Sequence, residues 1–207
     1  ERIHLGYYPV GSEVHVSLLL RDLARGMDDP LFVRTDRSIR AALGDDLYGI
    51  DGETLASSVG RLLQERGLVL GIAESCTGGL LSSTVTGVAG SSGWFAGGIV
   101  AYANGVKESL LGVEAELLAR CGAVSGETAR AMAAGAAARL GCDLAVAVTG
   151  IAGPGGGTAE KPVGTVHIGL HQSGRTSDQR FRFSGTRRQV QEKTTHMALD
   201  MVRRAVL

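Results

Sequence analysis

From residue 54 to its end the chain alternates short, continuously apolar runs with amphipathic stretches, and this rhythm leaves few folds open to it. The runs at 68–73 and 144–148 are apolar at every position, as a strand covered on both faces must be. A third strand is expected over 98–103. Between and before them the spacing predicts helices over 54–66, 77–85, 107–111, 114–121 and 127–140, the first with Leu55, Val59, Leu62 and Leu63 on one face. Residues 163–171 and 176–183 read as a hairpin around Ser173 and Gly174, and 189–206 as a closing amphipathic helix. Strands alternating with helices predict an α/β fold, a three-layer α/β/α domain whose closing hairpin makes the sheet mixed. Ligands of such sheets bind beyond the carboxyl ends of the strands.

The first fifty residues follow a different pattern. Strand-like alternation over 2–8 and 13–21 is interrupted by Pro9, Val10, Gly11 and Ser12, and a helical stretch over 30–43 ends at Gly44. This predicts a partial small α+β unit at 1–50, ahead of the main domain at 51–207. The chain opens at Glu1, without an initiator Met and already in a strand, so it is expected to be a fragment of something longer.

Charge and composition narrow the function. Basic and acidic residues balance at 21 each and aromatics are 4%, so the basic excess and stacking residues of a nucleic-acid binder are lacking. Cys76, Cys121 and Cys142 are too scattered for a disulfide framework or a CxxC ligand pair, which points to a reducing, cytoplasmic setting. No apolar run approaches the roughly 18 to 20 residues of a membrane span. Only Lys107, Lys161 and Lys193 are lysines among the basic residues, so each one needs a reason.

Three segments at strand ends carry chemistry. The first, 73–79, runs from a strand through Glu74, Ser75, Cys76 and Thr77 into Gly78 and Gly79, where free N–H groups at a helix start attract a phosphate or a developing oxyanion. An ordinary N-cap explains it equally well. The second, 98–107, brings Tyr102 and Asn104 to the end of a strand and Lys107 onto the following turn. A serine nucleophile needs a base, and a lysine serves if its surroundings lower its pKa. The third, 149–162, follows another buried strand with Thr149, Gly150 and Gly153, and its glycines imply close backbone approach or positive φ. It lacks the last glycine of a dinucleotide fingerprint, and a flexible connection is the plain alternative.

Other candidates are weaker. His167 and His171 share a strand face without a further ligand at metal spacing, so no metal or other cofactor is expected. The Arg187–Arg188 pair reads as a solvated helix start that could also meet a phosphate.

Taken in order, AESCTGGLLSS, GSSGWFAGGIVAYANGVK, LLGV, GAVSGETARAMAAGA and TGIAGPGGGTAEKPVGTV resemble the C-terminal domain of the CinA family of competence/damage-inducible proteins. Residues 1–50 are similar to the end of the linker domain that precedes it there. The resemblance implies a nicotinamide-nucleotide amidohydrolase, converting NMN and water to nicotinate mononucleotide and ammonia with a serine and a lysine. By motif position it implies Ser75 as nucleophile, Lys107 as base and Tyr102 beside them. Glu74, Thr77, Gly78, Gly79, Asn104, Thr149, Gly150 and Gly153 are expected on the substrate, with the N–H groups around Thr77 and Gly78 facing the oxyanion. No cofactor is implied, the partner is a small molecule, and a homo-oligomer is the default. Two other classes compete. A short-chain dehydrogenase also joins Ser, Tyr and Lys, but with Tyr and Lys four apart rather than five. A non-catalytic assembly module of a competence or DNA-damage protein is the other.

Overall fold

The computed structural model describes residues 3–21 and 26–207. The chain divides into two compact units, Glu1–Asp51 and Gly52–Leu207.

The first unit holds an antiparallel hairpin of β1 (Ile3–Val10) and β2 (Glu13–Leu20), followed by helix α1 (Pro30–Leu43). The turn is tighter than the sequence suggests. Pro9 and Val10 stay in β1, opposite Val14 and Glu13, because a two-stranded sheet has open edges where a missing N–H does no harm. Gly11, at φ +61°, makes the turn. Arg2, expected in the first strand, lies outside the described residues. Asp29 caps α1 by accepting from the Leu31 N–H at 2.9 Å, with Pro30 at the first helical position.

The second unit is a five-stranded mixed sheet between two helical layers. Helix α2 (Leu55–Arg66) leads into β3 (Leu70–Glu74), α3 (Leu80–Thr86), β4 (Phe95–Val100), α4 (Asn104–Leu111), α5 (Ala115–Cys121), α6 (Gly126–Leu140), β5 (Leu144–Gly150), β6 (Thr165–Gln172), β7 (Arg175–Arg182) and α7 (Arg187–Ala205). Strand order is β4-β3-β5-β6-β7. The first three strands run parallel, and the β6–β7 hairpin adds antiparallel to β5. The carboxyl ends of β3, β4 and β5 therefore share one rim, and the three segments singled out in the sequence all leave from it.

The two faces of the sheet alternate along each strand. Leu70 and Ile72 of β3 and Leu144, Val146 and Val148 of β5 are buried, and with α2, α3 and α7 packed on their side they form one core. On the other side Ala73, Ala145 and Ala147 meet Met132, Ala133 and Ala136 of α6. The alanine and glycine abundance has its reason here. A Cβ on Gly169 would stand 2.3 Å from the Ala129 carbonyl oxygen, and one on Gly135 would stand 1.9 Å from that of Leu111. Main chain meets main chain, so α6 packs against β6 on one side and the end of α4 on another with no room for larger residues.

Several boundaries differ from those expected, each for a local reason. Helix α3 begins at Leu80 rather than Thr77, because Gly78 and Gly79 have φ of +62° and +100°, outside the right-handed helical region. Strand β4 lies at 95–100, earlier than predicted, and α4 starts at Asn104, so Lys107 sits inside a helix rather than on a turn. Helix α7 starts at Arg187, where Thr186 and Gln189 form a reciprocal capping box.

Candidate active site

The loop after β3 is shaped from beneath. Glu74, the last residue of β3, is fully buried and its carboxyl oxygens accept from the backbone N–H groups of Gly79, Leu81 and Ser82 and from the Ser82 hydroxyl, at 2.6–3.0 Å. One side chain thus satisfies the donors that α3 leaves open at its start. It also fixes the path of the chain between strand and helix. On that path Ser75 donates its N–H to the Val148 carbonyl at 3.0 Å and accepts at its own carbonyl from Gly78 N–H at 3.2 Å. Its hydroxyl is left facing the cleft.

Opposite it stands Lys107, only 1% exposed. Helix α4 places it one turn from its start and on the buried face with Leu111. Its Nζ lies 3.2 Å from Ser75 Oγ, 2.9 Å from the Ala101 carbonyl and 3.0 Å from the Tyr102 carbonyl. No carboxylate pairs with it among the described residues. Burial pushes its pKa below 10.5, since an ammonium in a low-dielectric site lacks the hydration that favours its charge. Two N–H bonds serve the two carbonyls and the third position on Nζ faces Ser75 Oγ, as a donor in the ammonium form and as a lone pair able to take the serine proton once the amine is neutral. Cys76 does not compete as a nucleophile, because burial drives its thiol up to about 12 and so keeps it protonated.

Around this pair opens a cleft of about 200 Å³ lined by Ser75, Cys76, Tyr102, Asn104, Lys107, Ala123, Val124, Thr149, Gly150, Ala152 and Arg187. Thr149 donates its hydroxyl to the Ala123 carbonyl at 2.6 Å, and Lys161 its Nζ to the Cys121 carbonyl at 3.0 Å. These bonds hold the 121–124 turn as a wall. Tyr102 is 60% exposed, and its phenol oxygen accepts from Arg187 at 3.1 Å rather than meeting the amine. A second Arg187 nitrogen donates to the Gly153 carbonyl at 2.8 Å. Among the described residues its guanidinium meets no carboxylate, and it sits at the positive end of a 19-residue helix.

The CinA C-terminal domain family matches residues 52–206. The chain belongs to the CinA family. A CinA-like protein of Desulfotalea psychrophila is 46% identical over 205 residues, 99% of this chain and 50% of that protein. A protein of Symbiobacterium thermophilum, described as a putative competence-damage inducible protein, is 48% identical over 97% of this chain and 49% of its own length. The chain thus spans about half the length of these CinA relatives. Among solved structures, a CinA superfamily protein from Klebsiella pneumoniae superposes with a TM-score of 0.72 at 34% identity, covering 73% of this chain and 95% of its own. A competence/damage-inducible protein from Agrobacterium tumefaciens gives 0.70 at 40% identity over 76% of this chain and 98% of its own.

Within this CinA domain the sequence-predicted residues divide into two groups. Ser75, Tyr102, Asn104, Lys107, Thr149 and Gly150 line the cleft together. Glu74, expected on the substrate, lies beneath the loop with its oxygens occupied. Gly78 and Gly79 shape the turn, their N–H groups already donating to Ser75 and Glu74, so they are not open to an oxyanion. Thr77 keeps its hydroxyl enclosed and without a partner among the described residues, and the Gly153 carbonyl accepts from Arg187. Ala123 and Val124, within the GAVSGE motif, also line the cleft, and their small apolar side chains carry no chemical signal of their own. Arg187 reads in sequence as one of an undistinguished pair, because the contact to Tyr102 spans 85 positions and leaves no local signal. No helix among the described residues is long and apolar enough to cross a membrane, and no group of three or more His, Cys, Asp or Glu side chains gathers there as a metal site.

Glu74 yields a direct expectation. In Glu74→Ala, three backbone N–H groups and a hydroxyl lose their acceptor, and the hydrogen bonds to a charged group lost on this scale are together worth about 3 kcal/mol or more. For a domain of this size the melting temperature should fall by roughly 6 to 12 °C. An unchanged melting curve would mean that the loop holds itself.

Proposed function

We propose that this domain is an amidohydrolase acting on the carboxamide of NMN. The reading is carried by the 3.2 Å approach of Lys107 Nζ to Ser75 Oγ, with the amine buried and unpaired by any acid among the described residues. Lys107, in its neutral form, takes the Ser75 proton as Oγ bonds to the carboxamide carbon, and the carbonyl electrons move onto oxygen. When the tetrahedral intermediate collapses, the C–N bond breaks and the amide nitrogen leaves as ammonia with the proton held by Lys107. The amine then deprotonates a water, which attacks the acyl carbon and returns Ser75 Oγ to its hydroxyl. No step calls for a metal.

Arg187, between the cleft and the start of α7, is the group suited to the substrate phosphate, and helix start and guanidinium add in the same direction. Tyr102 contributes its backbone carbonyl to the amine and its phenol to Arg187, joining the reacting end of the cleft to the anion end. Ammonia release from NMN by the purified protein, undiminished by chelator, together with an acyl mass increment on Ser75 under rapid quench, is the expected result. Absence of both at saturating NMN would end the reading.

A further inference from the structure

An acyl-transfer site needs donors for the oxyanion, and most of the N–H groups near Ser75 are already engaged. The Ser75 N–H goes to Val148, Gly78 N–H to Ser75 and Gly79 N–H to Glu74. The Thr77 N–H remains, with no backbone acceptor among the described residues, and the Cys76 N–H meets only its own sulfur. Where they point is dictated by the carbonyls in the same peptide planes, because a trans peptide sets its C=O and N–H in opposite directions. The Ser75 carbonyl turns back onto Gly78, so the Cys76 N–H faces away from that turn. The Cys76 carbonyl is held from elsewhere in the chain. Gln191 of α7 donates its Nε2 to it at 2.9 Å, across 115 positions of sequence.

Gln191 lies one turn beyond Arg187 and therefore on the same side of α7. It is half-buried, and its carboxamide brings a donor to the nucleophile loop without adding charge beside Lys107. We infer that Gln191 is a positioning residue for acyl transfer, anchoring the Cys76 carbonyl so that the Thr77 N–H is aimed at the oxyanion that forms on the carbon bonded to Ser75. The inference rests on the amidohydrolase reading. In the absence of this anchor the 76–77 peptide is free to turn, and a donor that must be preorganised to act loses its aim.

The test uses the full chain with three substitutions: Gln191→Leu, Gln191→Glu, which keeps the shape but removes the donor, and Gln191→Lys, which keeps a donor. Ammonia release from NMN gives kcat and KM. The rate at which a fluorophosphonate labels Ser75, followed by intact mass, reports on the oxyanion donors without NMN. Gln191→Leu and Gln191→Glu should lower kcat by about 10- to 100-fold, part of the loss seen when a whole oxyanion donor is removed, with KM within about twofold. Labelling should slow in step, and Gln191→Lys should recover most of both rates.

Wild-type kcat and labelling in Gln191→Leu and Gln191→Glu, a loss confined to KM, or a Gln191→Lys variant as slow as Gln191→Leu would overturn the positioning role. The NMN reading fails separately. A wild-type protein that is inert to NMN, yet whose labelling depends on Gln191, loses the substrate and keeps the positioning. Wild-type protein that releases ammonia while indifferent to Gln191 loses the positioning alone, and one that is neither active nor labelled loses both.

Discussion

Ser75→Ala should abolish ammonia release from NMN, with kcat falling at least about 10³-fold, while the protein melts within a degree or two of wild type. The size follows from the role: without Oγ no acyl-enzyme forms, and what survives is only the catalysis that binding and oxyanion contacts give to a bound water. The unchanged melting temperature follows from the surroundings. Ser75 holds its place through its backbone, by the bonds to Val148 and Gly78, and its hydroxyl does no packing work. NMN should still bind, because the groups suited to its phosphate lie at the other end of the cleft. A Ser75→Ala protein that turns over at the wild-type rate would rule out covalent catalysis here, and one that unfolds would show that the hydroxyl has a structural duty.

Lys107→Met should be almost as damaging to catalysis, by about 10²- to 10⁴-fold, the usual contribution of a positioned general base. It also changes the pH dependence, and with a definite sign. Wild-type activity should rise with pH as the amine loses its proton, with a midpoint below 10.5 because burial lowers the folded-state pKa. The residual activity of Lys107→Met should lack that limb. Stability moves in the same sense. The unfolded chain holds this proton more tightly than the folded one, so the penalty is complete below the folded pKa and fades as pH rises towards the unfolded value near 10.4. The stability of wild type relative to Lys107→Met should therefore increase as pH is raised through that window. A flat difference in melting temperature between the two proteins from pH 7 to 10 would mean that Lys107 is not perturbed.

Much of this was readable from the residues, and what was not has a common cause. The apolar runs at 68–73 and 144–148 announce β3 and β5 because a strand covered on both faces is built mostly of apolar residues. Ser75 stands out because it follows such a strand, and Tyr102 and Lys107 because they follow another strand and lysine is scarce in the chain. Glu74 was misread because a carboxylate beside a nucleophile and one folded under a helix start look alike in one dimension. In the fold four donors converge on it. Arg187 and Gln191 reach the site from the last helix, and a helix start rich in Arg and Gln carries no mark of what stands across from it.

The close contact of α6 with the sheet bears on how the cleft keeps its width. The 121–124 turn hangs from the start of that helix, and at Gly169 the spacing to the sheet is set by polypeptide backbone and not by the bulk of side chains, as it is at Gly135 against the end of α4. The helix thus acts as a spacer of fixed gauge, and the distance across the mouth is inherited from peptide geometry. Changes at the outer surface of α6 should leave that gauge untouched, so variation in which ligands the cleft admits should come from the rim residues themselves.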